Sequence, residues 1–228
     1  MLQKNWTELI KPSKMEVNVE ESDGRKGILT AEPLERGFGL TLGNAIRRIL
    51  LSSLQGAAIT SVKMKGVVHE FSTIPGVKED LTDILLNLKA VAVKVHSPGL
   101  KKMYLKSTGS GELRAGNFET DSETEIMNPD QIIMTLDSNA DIEIEANVET
   151  GKGYVTAEVA EDDEKVIGEI KLDAMFSPVI KTTYKVENSR VGQVTDYDKL
   201  ILEVETNGVI TPDDAIALAA RILQDQLQ

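Results

Sequence analysis

From Met15 onward the chain alternates apolar and polar residues: Met15, Val17 and Val19 fall on one side, and Ser22-Asp23-Gly24 gives a turn signal before Ile28 and Thr30. This spacing predicts a two-stranded hairpin. Pro33 and Gly37 break the pattern, and from about Leu42 to Leu54 the period becomes helical, with Leu42, Ala45, Ile46, Ile49 and Leu50 on one face and Gly56 closing the stretch. Alternation returns in Ala58, Thr60, Val62 and Met64, after which Pro75-Gly76 leads into a second helix striped by Leu81, Ile84, Leu85 and Leu88. Its acids Glu79, Asp80 and Asp83 lie near the start and Lys89 at the end, as the helix dipole favours. After Val91, Val93 and Val95, a long β-rich region sets Ile142, Ile144, Ala146 and Val148 against Asp141, Glu143, Glu145 and Asn147, the pattern of a sheet with one wet face. Acidic stretches at 119–130 and 160–165 read as solvated loops. A strand over 200–206 and a turn at Asn207-Gly208 precede a last helix with Thr211 as N-cap, Pro212 at its first position and Asp213 and Asp214 in its first turn. Ile216, Ala219, Leu223 and Leu227 form its stripe, thickened by Ala220, and the small alanines suit close packing against another helix.

Composition narrows the function classes. The 228 residues suffice for one domain or two small ones, and 41% apolar with 27% charged residues is ordinary for a globular chain. A net charge of -12 repels phosphate backbones, so sequence-unspecific nucleic-acid binding is not expected. No cysteine is present, which removes disulfides and thiolate metal sites, and His69 and His96 alone cannot supply a three-histidine zinc site. No apolar run suits a signal peptide or a membrane span, so a cytoplasmic location is expected.

Several patterns invite a chemical reading. Gly37, Gly39 and Gly43 stand before a helix and raise the alternative of a nucleotide-binding enzyme. A dinucleotide fingerprint, however, needs its third glycine one position earlier and an acid about 20 residues on, and the window near position 60 holds only Ile59, Thr60, Ser61 and Val62. No Walker lysine follows Gly43 either. Tight turning and close backbone approach are the expected use of these glycines. Asp137, Asn139 and Asp141 open like a calcium loop, but Ile142 and Val148 stand where glycine and glutamate are required. Asp196 and Asp198 share a strand face and fit a cap or solvated role better than a magnesium site. His69 and Glu70 are neighbours on a strand and point to opposite faces, and Gly151-Lys152-Gly153 reads as a turn. No cofactor or metal is expected. On the first helix, Leu51 lies about 180° from Leu42, with Arg47 and Arg48 beside it, an outward apolar anchor rimmed by arginines that suits protein recognition.

The stretch PLERGFGLTLGNAIRRILLSSLQGAAITSV (33–62) resembles the signature of the bacterial RNA polymerase alpha subunit, and the likeness continues in GVVHEFSTIPGVKEDLTDILLNLK (66–89), GKGYV (151–155), FSPV (176–179), VENSRVGQVTDYDKL (186–200) and ETNGVITPDDAI (205–216). The resemblance implies an α+β fold of two subdomains: a discontinuous dimerisation part at 1–55 with 182–228, and an inserted, mainly β part at 56–181. It further implies a non-catalytic homodimer that recruits the beta and then the beta-prime subunit, with polymerisation chemistry on those partners. Carried over by position, Arg48 with Leu51 would meet beta. His69, Glu70, Lys89, Phe176, Ser177, Pro178, Val179 and Lys199 would be further large-subunit contacts. The two helices, through Ile46, Ile49, Leu50, Ile216, Ala219, Ala220, Leu223 and Leu227, would face a second copy. The family's carboxy-terminal domain, which binds promoter DNA and activators, has no counterpart in these residues, so direct DNA contact is not expected of this segment.

Overall fold

A computed structural model describes residues 9–20, 23–67, 69, 71–157 and 168–228. The fold is α+β, and the described chain forms two compact units, one of 1–54 with 179–228 and one of 55–178. The second division falls where a long strand begins at Val179, three residues before the 181/182 boundary expected above.

The chain opens the first unit with the hairpin β1 (Lys14–Val19) and β2 (Lys26–Leu34), paired antiparallel so that Met15 faces Ala31 and Val19 faces Gly27. Helix α1 follows at Phe38–Ser52. It starts four residues before Leu42, because Gly37 adopts the left-handed φ of +85° that turns the chain into the helix. Gly39 and Gly43 therefore lie on the helix rather than ahead of it.

The second unit runs without interruption from β3 (Gln55–Met64) through α2 (Leu81–Lys89), β4 (Val93–Val95), β5 (Lys101–Thr108), β6 (Gly111–Arg114), β7 (Thr124–Ile126), β8 (Ile132–Leu136), β9 (Asp141–Lys152), β10 (Tyr154–Val155), β11 (Glu169–Lys171) and β12 (Ala174–Met175). Its main sheet has the order β5-β9-β3-β4-β7, with β11 on β3, and β6-β8 and β10-β12 form separate pairs. The expected alternation holds on β9: Ile142, Ile144, Ala146 and Val148 are buried and their neighbours face outward. On β3 an irregularity between Ile59 and Ser61 shifts the phase. Ile59, Val62 and Met64 consequently enter the main core, whereas Ala58 joins a small cluster with Ala174 and Phe176. Helix α2 buries Leu81, Ile84, Leu85 and Leu88 in that main core, as its stripe predicts.

The chain returns to the first unit with β13 (Val179–Val191), β14 (Val194–Thr206) and α3 (Pro212–Gln226). The four strands form one antiparallel sheet in the order β1-β2-β14-β13. On β14 the residues Leu200, Leu202, Val204 and Thr206, at period two, are buried, and α1 and α3 supply Ile46, Leu50, Ala215, Ile216 and Ala219 to the same core region. Thr211 occupies the N-cap position of α3, but its hydroxyl makes no cap bond to the helix backbone. It bonds the Asp213 carboxyl instead and holds that group below the ordinary aspartate range.

Candidate functional site

The glycines of α1 determine how the helix meets its sheet. A Cβ on Gly39 would stand 2.8 Å from Val186 Cγ1, and one on Gly43 would stand 2.7 Å from the Tyr184 ring and 2.9 Å from Leu200 Cδ1. Only hydrogen at these positions lets α1 lie this close to β13 and β14. Gly39, Gly43, Ile46 and Leu50 are the buried residues of the helix. At about 100° per residue they centre a stripe from which Leu42 is displaced by about 70°.

That centre corrects the expected outward face. Arg48 lies about 170° from the stripe and is exposed, whereas Leu51 lies about 110° away and Arg47 about 70°. Leu51 is half-buried and packs against the core of its unit, and Arg47 turns inward so that its Nε donates to the Thr182 carbonyl at 3.3 Å. An anchor flanked by two solvated arginines is therefore not present. Of these three residues, only Arg48 projects from the face opposite the sheet.

The N-terminus of α1 answers the phosphate question. Among described residues the helix has no acid in its first turn and its N-cap is a glycine. The Asp198 carboxylate on β14 fills this role: its Oδ2 accepts from the Gly37 N–H at 2.9 Å and from the Gly39 N–H at 3.0 Å. Two of the donors that a phosphate would use are thus engaged by an internal carboxylate. Asp196 plays no part in those bonds. Among the described residues no group of three or more His, Asp or Glu is placed to hold a metal ion.

The positions expected on a face shared with a second copy divide in two. Ile46, Leu50, Ile216 and Ala219 are buried in the core of their own unit within one chain, because α1 and α3 pack on the same sheet. They are core residues rather than surface. Ile49 and Leu223 are half-buried, Ala220 is exposed, and Leu227 is 80% exposed. The buried face of α3 carries Pro212, Ala215, Ile216 and Ala219, and Ala220, Leu223 and Leu227 lie on the side of that face marked by Ile216. A comparable flank on α1 carries Phe38, Leu42, Ala45 and Ile49, none of which is fully buried. Phe38 is 43% exposed.

Most of the other expected large-subunit contacts are engaged inside their own units. Phe176, Ser177, Pro178 and Val179 are all buried, Phe176 against Ala58 and Ala174 and Val179 in the core of the first unit. Close approach of Gly151 to the Phe176 ring and of Gly56 to the Phe176 carbonyl leaves no space for any side chain at either glycine. Lys89 Nζ sits 3.2 Å from Asp173 Oδ2. The Ala157 N–H, the Tyr154 hydroxyl and Lys89 together hold the Asp173 carboxyl below the ordinary aspartate range. Lys199 Nζ lies 3.7 Å from Glu32 Oε2. His69 is exposed, with Nδ1 3.3 Å from the Ser72 hydroxyl, and Phe71 two residues on is 80% exposed. Glu70 lies outside the described residues. The residue that sequence reasoning undervalued is Asp198; its signal was an acid in the same period-two row as Leu200, Leu202 and Val204.

Compared with known protein families, residues 62–177 match the family described as RNA polymerase Rpb3/RpoA insert domain.

Proposed function

Since the chain belongs to the RNA polymerase Rpb3/RpoA insert domain family, we propose that it is the alpha subunit of a bacterial DNA-directed RNA polymerase, a homodimeric, non-catalytic platform on which the beta and beta-prime subunits assemble. The observation that carries this reading is the match itself, which spans 62–177 and so falls inside the unit of 55–178. The other unit, built from both ends of the segment, then has the role of dimerisation part. The likeness of the blocks at 33–62, 186–200 and 205–216 to alpha subunits supports that assignment.

In this reading the half-exposed apolar flanks of α1 and α3 meet their copies in a second chain, with Phe38, Ile49, Ala220, Leu223 and Leu227 at the contact. Arg48, exposed opposite the sheet, is offered to beta; arginine suits such a place because it donates in a planar fork and is enriched at interfaces. His69 and Glu70 contribute near the same large subunit. Lys89 and Lys199 contribute through the parts of their side chains left outside their ion pairs, while Phe176 to Val179 shape the chain beneath the contact rather than touching a partner. Promoter DNA is not a partner of this segment, consistent with its charge of -12, and no cofactor is assigned. A cytoplasmic location accords with the polymerase role; among the described residues no helix is long and apolar enough to cross a membrane.

Sedimentation of the purified chain over a dilution series, alone and with beta, tests the reading. A dimer that shifts to a larger species with beta is expected. A monomer indifferent to beta at every concentration would remove the proposal. Arg48→Ala is expected to leave folding and dimerisation intact and to weaken beta capture, and unchanged capture would reject the role given to that residue.

A further inference from the structure

We propose that Asp198 is a positioning residue for assembly, a latch that sets the rotation and height of α1 and thereby the placement of Arg48; this rests on the platform reading above. A helix N-terminus leaves backbone N–H groups unpaired and favours negative charge. Helix α1 meets neither need by itself, since Gly37 has no side chain and no acid follows in the first turn. The anion comes instead from a strand 161 residues further along.

The geometry around it is built for one carboxylate. Asp198 continues the period-two row of Leu200, Leu202 and Val204, so a charge ends an otherwise apolar face. Pairing of β14 with β2 shifts register between Asp198 and Leu200 with the extra residue on β2, while β14 keeps unbroken register with β13 from Leu200 to Asp198, so Asp198 is held at a fixed place on a regular strand. Opposite it, a Cβ on Gly39 would come within 3.0 Å of both Asp198 Cβ and Oδ2, so the approach requires glycine.

One oxygen accepting from two amides two residues apart fixes the first turn in both rotation and axial position. Val186 under Gly39, with Tyr184 and Leu200 under Gly43, keeps the helix seated below that point. Arg48 stands nine residues beyond Gly39 on the same rigid helix, about 14 Å along the axis. A rotation of about 20° at the latch would move a group on the outer helix surface by about 2 Å, enough to misplace a hydrogen-bonding side chain.

Binding of purified beta to the whole chain, to Asp198→Ala, to Arg48→Ala and to the double variant provides the test, with sodium formate as a probe of the vacated cradle. Asp198→Ala is expected to melt cooperatively and to lose about tenfold in beta affinity. The double variant is expected to bind no more weakly than Arg48→Ala alone. Formate is expected to recover capture by Asp198→Ala while leaving Arg48→Ala unchanged, at a temperature where melting shows Asp198→Ala fully folded without formate, so that regained stability does not account for the recovery. Parental affinity in Asp198→Ala overturns the latch, and so does a loss that formate leaves untouched and that adds in full to that of Arg48→Ala. Should Asp198→Ala fail to melt cooperatively, Asp198→Ser, whose shorter side chain does not reach both amides and leaves the cradle open to formate, decides by the same criteria. Failure of the parent chain to capture beta would reject the platform reading instead, a separate result from parental binding by the variant.

Discussion

At the scale of single residues, what lies opposite a missing Cβ decides the cost of adding one. A Cβ at Gly56 would lie 1.9 Å from the Phe176 carbonyl oxygen, a backbone atom that cannot swing aside. Gly56→Ala is therefore expected to destabilise by about 3 kcal/mol or more. At Gly43 the obstacles are side-chain atoms, the Tyr184 ring at 2.7 Å and Leu200 Cδ1 at 2.9 Å, which can give way by small shifts, and alanine recovers about 1 kcal/mol of helix propensity over glycine. Gly43→Ala should consequently cost less than Gly56→Ala, about 2 kcal/mol or less after this offset. Urea unfolding of both variants checks the order, and greater damage from Gly43→Ala would contradict it. The same contrast holds along α1: Leu50 is fully buried, and its replacement by alanine should cost about 2–5 kcal/mol, whereas Arg48→Ala should stay within about 0.5 kcal/mol. Thermal melts of the two variants compare them directly.

At the scale of elements, the two helices differ in how far their residues announced them. Helix α2 was legible because Leu81, Ile84, Leu85 and Leu88 are both its apolar stripe and its buried face. Helix α1 was legible as a helix but not in its orientation, since half its buried face is glycine, which carries no hydropathy signal. Reading the apolar face from Leu42 rather than from the buried Gly39 and Gly43 rotates the inferred face and places Leu51 outside. The last helix failed more mildly: Ala215, Ile216 and Ala219 pack inward, while Leu227 on one flank and Leu218 on the other stay exposed. Of the candidate assembly positions, Arg48 kept the exposure its spacing implied, while the FSPV segment gave no warning of its burial. Long-range contacts, such as Phe176 with Ala58, leave no periodic trace.

The approach to α2 also carries a pH-dependent tie. Glu79 accepts from the Thr135 N–H and hydroxyl, both at 2.7 Å, joining the segment before the helix to β8. Partial burial pushes its carboxyl up, but the Thr135 bonds outweigh that and hold it below the ordinary glutamate range. A lowered carboxylate contributes stability that is fully present above its unfolded pKa and is lost as pH falls through the folded value. Below about pH 4 the parent should therefore lose stability that Glu79→Ala, already lacking the tie, does not lose. Melting of both proteins from neutral pH downward checks this, and parallel acid profiles would show that the tie contributes nothing.

For the whole molecule, the balance of charge and the arrangement of the chain govern behaviour. With a net charge of -12, two copies repel at long range, and apolar flanks must hold them together at short range. The proposed dimer is accordingly expected to tighten modestly as salt rises toward 0.5 M, and sedimentation at fixed protein concentration measures this. Weakening with salt would point to a contact dominated by ion pairs rather than by Phe38, Ile49 and Leu227.

The pairing of β2 with β14 bears on how the chain emerges from the ribosome. The unit of 55–178 is continuous, so all its strands have been made before residues 179–228 appear. The hairpin of β1 and β2, although made first, lacks its neighbour strand, and the glycines of α1 lack both the surface they fit and the carboxylate that holds them. Synthesis thus inverts the order along the chain: the inserted unit can mature on the nascent polypeptide, and the unit proposed to receive the partners closes only once translation has passed Thr206.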